Sequence, residues 1–185
     1  DVPSISELQP FLDYVSQLRE LPTTDVTFKR GTVLSNGYLD MCKQVVGPAH
    51  LAPLCEALEP TTEAGAIRHV LMGNNLAFES PDKVTGGGVS ETSEETRQRG
   101  IHAILKLMDP RFGVETWYLA GNCITADILD KMADKLGSAA APCTALWLKR
   151  NELGPESAEA LGRIICGNAR LHTLDLHNTG LMDEG

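Results

Sequence analysis

The sequence predicts an α/β fold in which short strands alternate with helices, the strands stacking into a parallel sheet and the helices covering one of its faces. Three observations predict it. From Val114 to Leu181 one apolar pattern occurs three times: Val114, Trp117, Leu119 and Ile124; Cys143, Leu146, Leu148 and Leu153; Leu171, Leu174, Leu176 and Leu181. Corresponding leucines are 29 residues apart from Leu119 to Leu148 and 28 apart from Leu148 to Leu176. The residues between two patterns read as helix: after Gly154-Pro155, Ala158, Leu161, Ile164 and Ile165 recur at helical spacing, and Gly167-Asn168 stop it.

Within one unit, alternate strand side chains face opposite ways, so Leu146 and Leu148 go inward while Trp147 and Lys149 go out. One strand and one helix cannot bury both their apolar faces alone, so neighbouring units must stack and share a core. An asparagine at the strand exit suits a tight turn, because its short amide satisfies nearby backbone groups and tolerates unusual backbone angles. Asn75, Asn122 and Asn151 fill this structural position, with Gln44 in the first unit and Thr179 in the last. In these features the sequence resembles the ribonuclease-inhibitor-like subfamily of leucine-rich repeats, whose units of about 28 residues alternate a strand with a full helix. The resemblance runs from about residue 36 onward. It implies a leucine-rich repeat solenoid, a curved horseshoe with the parallel β-sheet on the concave face and helices on the convex face.

Residues 1–35 are expected to form an N-terminal cap. Ser4 and Glu7 make a capping-box pattern, Phe11, Val15 and Leu18 share one helical face, and Pro10 places the start of the regular helix near itself. A partner-binding amphipathic helix is the competing reading of this segment. Asn36-Gly37 between apolar residues signals a two-residue hairpin turn, whose second strand is already the first repeat strand, with Leu39 and Met41 inward. Residues 36–185 then hold the repeats. A second unit has Ile67, Val70, Met72 and Asn75 in register, after which the period breaks: Met72 to Leu119 is 47 residues. The surplus falls in a glycine- and serine-rich segment containing Gly86, Gly87 and Gly88, read as a projecting loop from about Phe78 to Ser93. The helix after it places Ile101, Ile104, Leu105 and Met108 toward the core, with the preceding acidic residues complementing its N-terminus. The last repeat is incomplete, its strand followed by no helix.

An apolar fraction of 42% over 185 residues is ample for a single-domain core. A formal charge of −9 disfavours nucleic acid and anionic membranes as partners. No apolar run is long enough for a transmembrane helix, and no signal-peptide pattern opens the chain. The missing initiator Met suggests a trimmed or processed chain. The five cysteines have irregular spacing; Cys143 sits at an inward position and Cys55 and Cys166 within helical patterns, which suits buried free thiols and a cytoplasmic location.

Function is sought on the outward strand positions, where neighbouring units bring equivalent residues about 5 Å apart. One column reads Asp40, Leu71, Tyr118, Trp147, Asp175, and the next Cys42, Gly73, Ala120, Lys149, His177. Tyr118, Trp147, Lys149, Arg150, Asp175 and His177 make a mixed aromatic and charged surface of the kind that anchors protein interfaces. Enzymatic readings fare worse. Cys42 is roughly 14 Å from the Asp175–His177 pair by strand spacing. His172 and His177 face opposite ways, a poor metal pair. Gly86–Gly88 lack the Lys-Ser/Thr of a phosphate loop. The chain is therefore expected to be a non-enzymatic scaffold that binds a protein partner through the concave face, with no cofactor or metal. The alternative is a regulatory or sensing segment of a larger protein, receptor-like or GTPase-regulator-like. The uncapped last strand adds an expectation of self-association through the C-terminal edge.

Overall fold

The computed structural model describes residues 3–80 and 92–182. Among them the chain forms five α-helices and one seven-stranded sheet: α1 (Ile5–Gln17), β1 (Val26–Phe28), β2 (Gly31–Val33), β3 (Tyr38–Asp40), α2 (Gly47–Glu63), β4 (His69–Leu71), α3 (Glu94–Leu107), β5 (Thr116–Tyr118), α4 (Ala126–Leu136), β6 (Ala145–Trp147), α5 (Ala158–Gly167) and β7 (Thr173–Asp175). Strands lie in the sheet in chain order. β1, β2 and β3 pair antiparallel, and β3 through β7 pair parallel, each parallel crossover carrying one α-helix, with a short 3-10 turn besides between β4 and β5 and between β6 and β7.

The central residue of each parallel strand and the residue two positions later point into the helices. Leu39, Met41, Val70, Met72, Trp117, Leu119, Leu146 and Leu148 are all buried in one core with the inner faces of the helices. The first and third strand residues face the other way, and among the described residues all but buried Thr116 are only partly covered, so the sheet has one packed face and one more open face. The 47-residue interval is absorbed without a slip in register, Val70 pairing with Trp117.

Strand exits are fixed by the three asparagines. The Asn75 amide donates to the carbonyls of Met41 and Met72, both at 2.8 Å, and its Oδ1 accepts from Val46 N. Asn122 donates to Met72 O at 2.8 Å and accepts from Asn75 N and Ala77 N. Asn151 donates to Leu119 O and Leu148 O and accepts from Asn122 N and Ile124 N. Each side chain thus satisfies buried backbone groups of its own turn and of the turn before it, tying successive units together. Thr179, with one hydroxyl, donates to Leu176 O at 2.8 Å. Gln44 is too long for the buried slot and reaches Cys42 O at 3.3 Å from a half-exposed position.

Several local expectations are corrected. α1 begins at Ile5, not near Pro10, because Ser4 N donates to Glu7 Oε2 at 3.2 Å and the acceptor that Pro10 leaves free, Ser6 O, lies in the exposed first turn. The Asn36-Gly37 turn carries three loop residues instead of two: Leu34 N donates to Tyr38 O, Gly37 N to Leu34 O, and Gly37 takes φ 89°, as in a type I turn closed by a left-handed glycine. The Lys29-Arg30 turn adds a further strand, and both side chains ion-pair with Glu7 of α1. Phe78 is core, not loop, and Ser93 caps α3 by accepting from Thr96 N. Gly86–Gly88 and the rest of 81–91 lie outside the described residues. Leu105 is only partly buried. Ile165 and Cys166 are exposed, because they follow Ile164 at steps of about 100° round the helix and Ile164 takes the core position. That end of α5 touches α4 backbone to backbone: a Cβ at Gly167 would overlap the Gly137 carbonyl oxygen.

Candidate functional site

The open face is built by the parallel registers. Asp40, Leu71, Tyr118, Trp147 and Asp175 stand side by side at the third strand position. Parallel pairing continues past the strand ends, Lys43 N donating to Gly73 O, Asn74 N to Ala120 O, Gly121 N to Lys149 O and Arg150 N to His177 O. This holds Cys42, Gly73, Ala120, Lys149 and His177 in a second row.

The structure brings four of the six expected interface residues into one connected cluster. The Tyr118 and Trp147 rings are 5.7 Å apart at 42°. Lys149 Nζ lies 5.5 Å from both ring centroids and 3.5 Å from Asp175 Oδ2. All four are half-buried. Their exposure is shared among themselves, and a cation–π contact at such a site contributes about 0.5–1 kcal/mol. The ring of Tyr118 leans over the preceding unit, where a Cβ at Gly73 would overlap its Cε1. Arg150 is exposed and lines a cleft of about 350 Å³ with Cys42, Lys43, Leu71, Asn74 and Tyr118. His177 is exposed at the end of its row, its backbone N donating to Asp175 Oδ1 at 3.0 Å.

Turn geometry sets where the cations stand. The residue before each asparagine position adopts a left-handed backbone: Lys43, Asn74, Gly121, Arg150 and Asn178 have φ between 55° and 64°. Glycine and asparagine take that conformation readily, whereas Lys43 and Arg150 adopt it at a cost of about 1–2 kcal/mol each.

Sequence reasoning missed a third row, the first strand positions Tyr38, His69, Thr116, Ala145 and Thr173. Here the Tyr38 and His69 rings stack at 4.0 Å and 17°, and His69 Nδ1 is 2.9 Å from Thr116 Oγ1. The same period, read two residues earlier, marks this row. It also missed the cleft residues Lys43 and Asn74, whose signal was the left-handed position one residue before Gln44 and Asn75.

Burial holds the His69 imidazole below its ordinary range, with Arg68 acting the same way and Glu115 opposing. Burial also pushes the Cys42 thiol up to about 11, helped by Asp40. Cys42 is therefore a neutral thiol at pH 7 and no thiolate nucleophile. Among the described residues no group of three His, Cys, Asp or Glu side chains could hold a metal ion. The arrangement offers flat aromatic surface, a small cleft and fixed cations, a chemistry of recognition. No protein-family model matches the chain, and no curated protein matches it.

Proposed function

We propose that the chain is part of a leucine-rich repeat solenoid of the ribonuclease-inhibitor-like type, a non-enzymatic scaffold that binds another protein through the concave face of its sheet. The observation that carries this reading is the Tyr118–Trp147–Lys149–Asp175 cluster: two partly exposed rings on neighbouring strands, braced by a cation, on the face that no described helix covers. Aromatic anchors beside cations dominate interface energies, and placing them on strands fixes them before the partner arrives. None of the five cysteines is in a disulfide, which accords with a reducing, cytoplasmic location. No helix among the described residues is long and apolar enough to cross a membrane.

The test uses a photo-crosslinking amino acid placed at Leu71 on the open face and, separately, at Glu159 on the exposed side of α5. A partner captured from Leu71 and not from Glu159, whose purified form binds the Tyr118→Ala/Trp147→Ala variant at least tenfold more weakly, supports the reading. A partner captured only from Glu159, or one indifferent to the double variant, overturns it.

One observation favours a second reading, a regulatory or sensing segment attached to further domains. Leu174 and Leu176 stand in columns whose other members are fully buried, yet they remain partly exposed. A further unit would cover them. Crosslinks from position 174 to residues of the same polypeptide in the natural protein separate this reading from the first.

A further inference from the structure

We propose that the segment received on the open face is an acidic peptide of the partner protein, with carboxylates on Lys43 and Arg150 and an apolar or aromatic side chain in the cleft against Leu71 and Tyr118. This rests on the reading that the open face is the binding face. Three features of the structure lead to it.

The cleft is assembled from four successive strand exits: Cys42 and Lys43, Leu71 and Asn74, Tyr118, and Arg150. Its floor is apolar or neutral, and its rim carries two cations. At about 350 Å³ it lies at the small end of ligand pockets, which span roughly 300–1,000 Å³, so it takes one large side chain and not an extended ligand.

The cations occupy positions that the backbone would rather give to other residues. Equivalent turns carry Asn74, Gly121 and Asn178, which suit a left-handed backbone, while Lys43 and Arg150 hold φ 61° and 58° there. Their amides are pinned to Gly73 O at 2.8 Å and His177 O at 2.9 Å. Val45, Leu76 and Cys123 also take positive φ in these turns, so what sets Lys43 and Arg150 apart is the charge they bring to the rim of the cleft.

Charge on the face is unbalanced in their favour. Both acids in the rows are engaged locally: Asp40 Oδ1 accepts from Cys42 N at 2.9 Å, and Asp175 faces Lys149. Among the described residues neither Lys43 nor Arg150 is in an ion pair. Two uncommitted cations beside one cleft are a local reversal in a chain of net charge −9, and the guanidinium fork matches a carboxylate with two hydrogen bonds. A long polyanion would meet the rest of the acidic surface; a short acidic peptide meets only this spot. Three strand spacings separate the two cations, about 14 Å, which is the span of about four residues of extended chain. The peptide therefore carries its acids three to five residues apart, flanking the apolar side chain.

The test is selection of randomised twelve-residue peptides displayed on phage against the whole chain, against Lys43→Glu/Arg150→Glu, and against Tyr118→Ala/Trp147→Ala, each checked by circular dichroism. The proposal expects the unaltered chain to enrich two acids at that spacing around an apolar residue. Charge reversal should exchange the acids for Lys or Arg and weaken the original consensus peptide at least tenfold. Peptides that depend on the aromatic pair but show no acid preference and no response to charge reversal overturn the acidic partner and leave the binding face standing. Enrichment indifferent to both variants, or none at all, overturns both.

Discussion

The Asn122 side chain, fully buried, bonds Met72 O, Asn75 N and Ala77 N of the preceding turn and Ala120 O of its own, so its loss orphans several groups at once. A buried backbone group left without a partner costs about 1–3 kcal/mol. Asn122→Ala should therefore lower the stability measured by urea unfolding by about 3 kcal/mol or more, whereas Thr179→Ala, which removes a single donated bond, should cost about 1 kcal/mol. The thiols give a second residue-scale expectation. Cys42 is half-exposed, but burial pushes its thiol up to about 11, and Cys143 is pushed up to about 12. Iodoacetamide at pH 8 should label exposed Cys166 first and leave Cys42 and Cys143 slow, read by peptide mass analysis. For His69 the sign follows from burial: its folded-state pKa is held below the ordinary imidazole value of about 6.5, so the unfolded chain binds the proton first as pH falls. The stability due to neutral His69 is complete above pH about 6.5 and is lost as pH drops toward the folded-state value. His69→Gln should flatten that acid limb in urea midpoints measured from pH 7 to pH 5.

At the scale of elements, one column makes the cleanest comparison. Leu146 and Leu174 are paired neighbours in the sheet, but Leu146 is fully buried and Leu174 only partly. Leu146→Ala should cost about 3 kcal/mol by transfer and cavity terms together, and Leu174→Ala about 1 kcal/mol, since water already reaches the site. The same column shows what the sequence made legible. Alternation along a strand and a spacing of 28 or 29 residues lay Tyr118, Trp147 and Asp175 side by side from the sequence, and the apolar and turn positions that repeat in the first two units add Asp40 and Leu71 to the same column. What the period does not carry was illegible. It says which side chains are neighbours and not which way a ring tilts, so the lean of Tyr118 over Gly73 and the approach of Lys149 to both rings came from the structure. A small residue beside Tyr118 in the next row was the available clue. Helix ends escaped for another reason: a proline rule applied to Pro10 was given more weight than the Ser4–Glu7 capping box one turn earlier, and a count of apolar residues in α5 took in Ile165, which the helical angle turns to solvent.

Across the whole molecule, contacts join elements that follow one another: most heavily α1 with α2, α2 with α3, α4 with α5 and each parallel strand with the next, and more lightly α3 with α4. Stability passed from neighbour to neighbour in this way can be lost from one end without collapse of the other. The two ends differ. At the first, α1 lays Phe11 and Val15 into the core, and Phe11 meets Phe28 edge-on at 5.6 Å. At the last, every residue of β7 is half-buried, and Leu171, Leu174, Leu176 and Leu181 are only partly covered. Opening should therefore start at β7. The amides of Leu148 and Arg150, bonded to Asp175 O and His177 O, should exchange with solvent deuterium faster than those of Met72 and Asn74, bonded to Tyr118 O and Ala120 O. Native-state hydrogen exchange followed by NMR measures this gradient, and equal protection throughout would mean that the chain opens as one unit. The gradient also bears on recognition. Trp147, Lys149 and Asp175 stand on the two strands that open first, while Lys43, Leu71 and Tyr118 stand on the stable ones. A ligand that binds only the closed sheet stabilises it by RT ln(1 + [L]/Kd), about 2.7 kcal/mol at a hundredfold excess over Kd. A partner bound across the face and held by Arg150 should thus raise protection most at Leu148 and Arg150, and less at Met72 and Asn74.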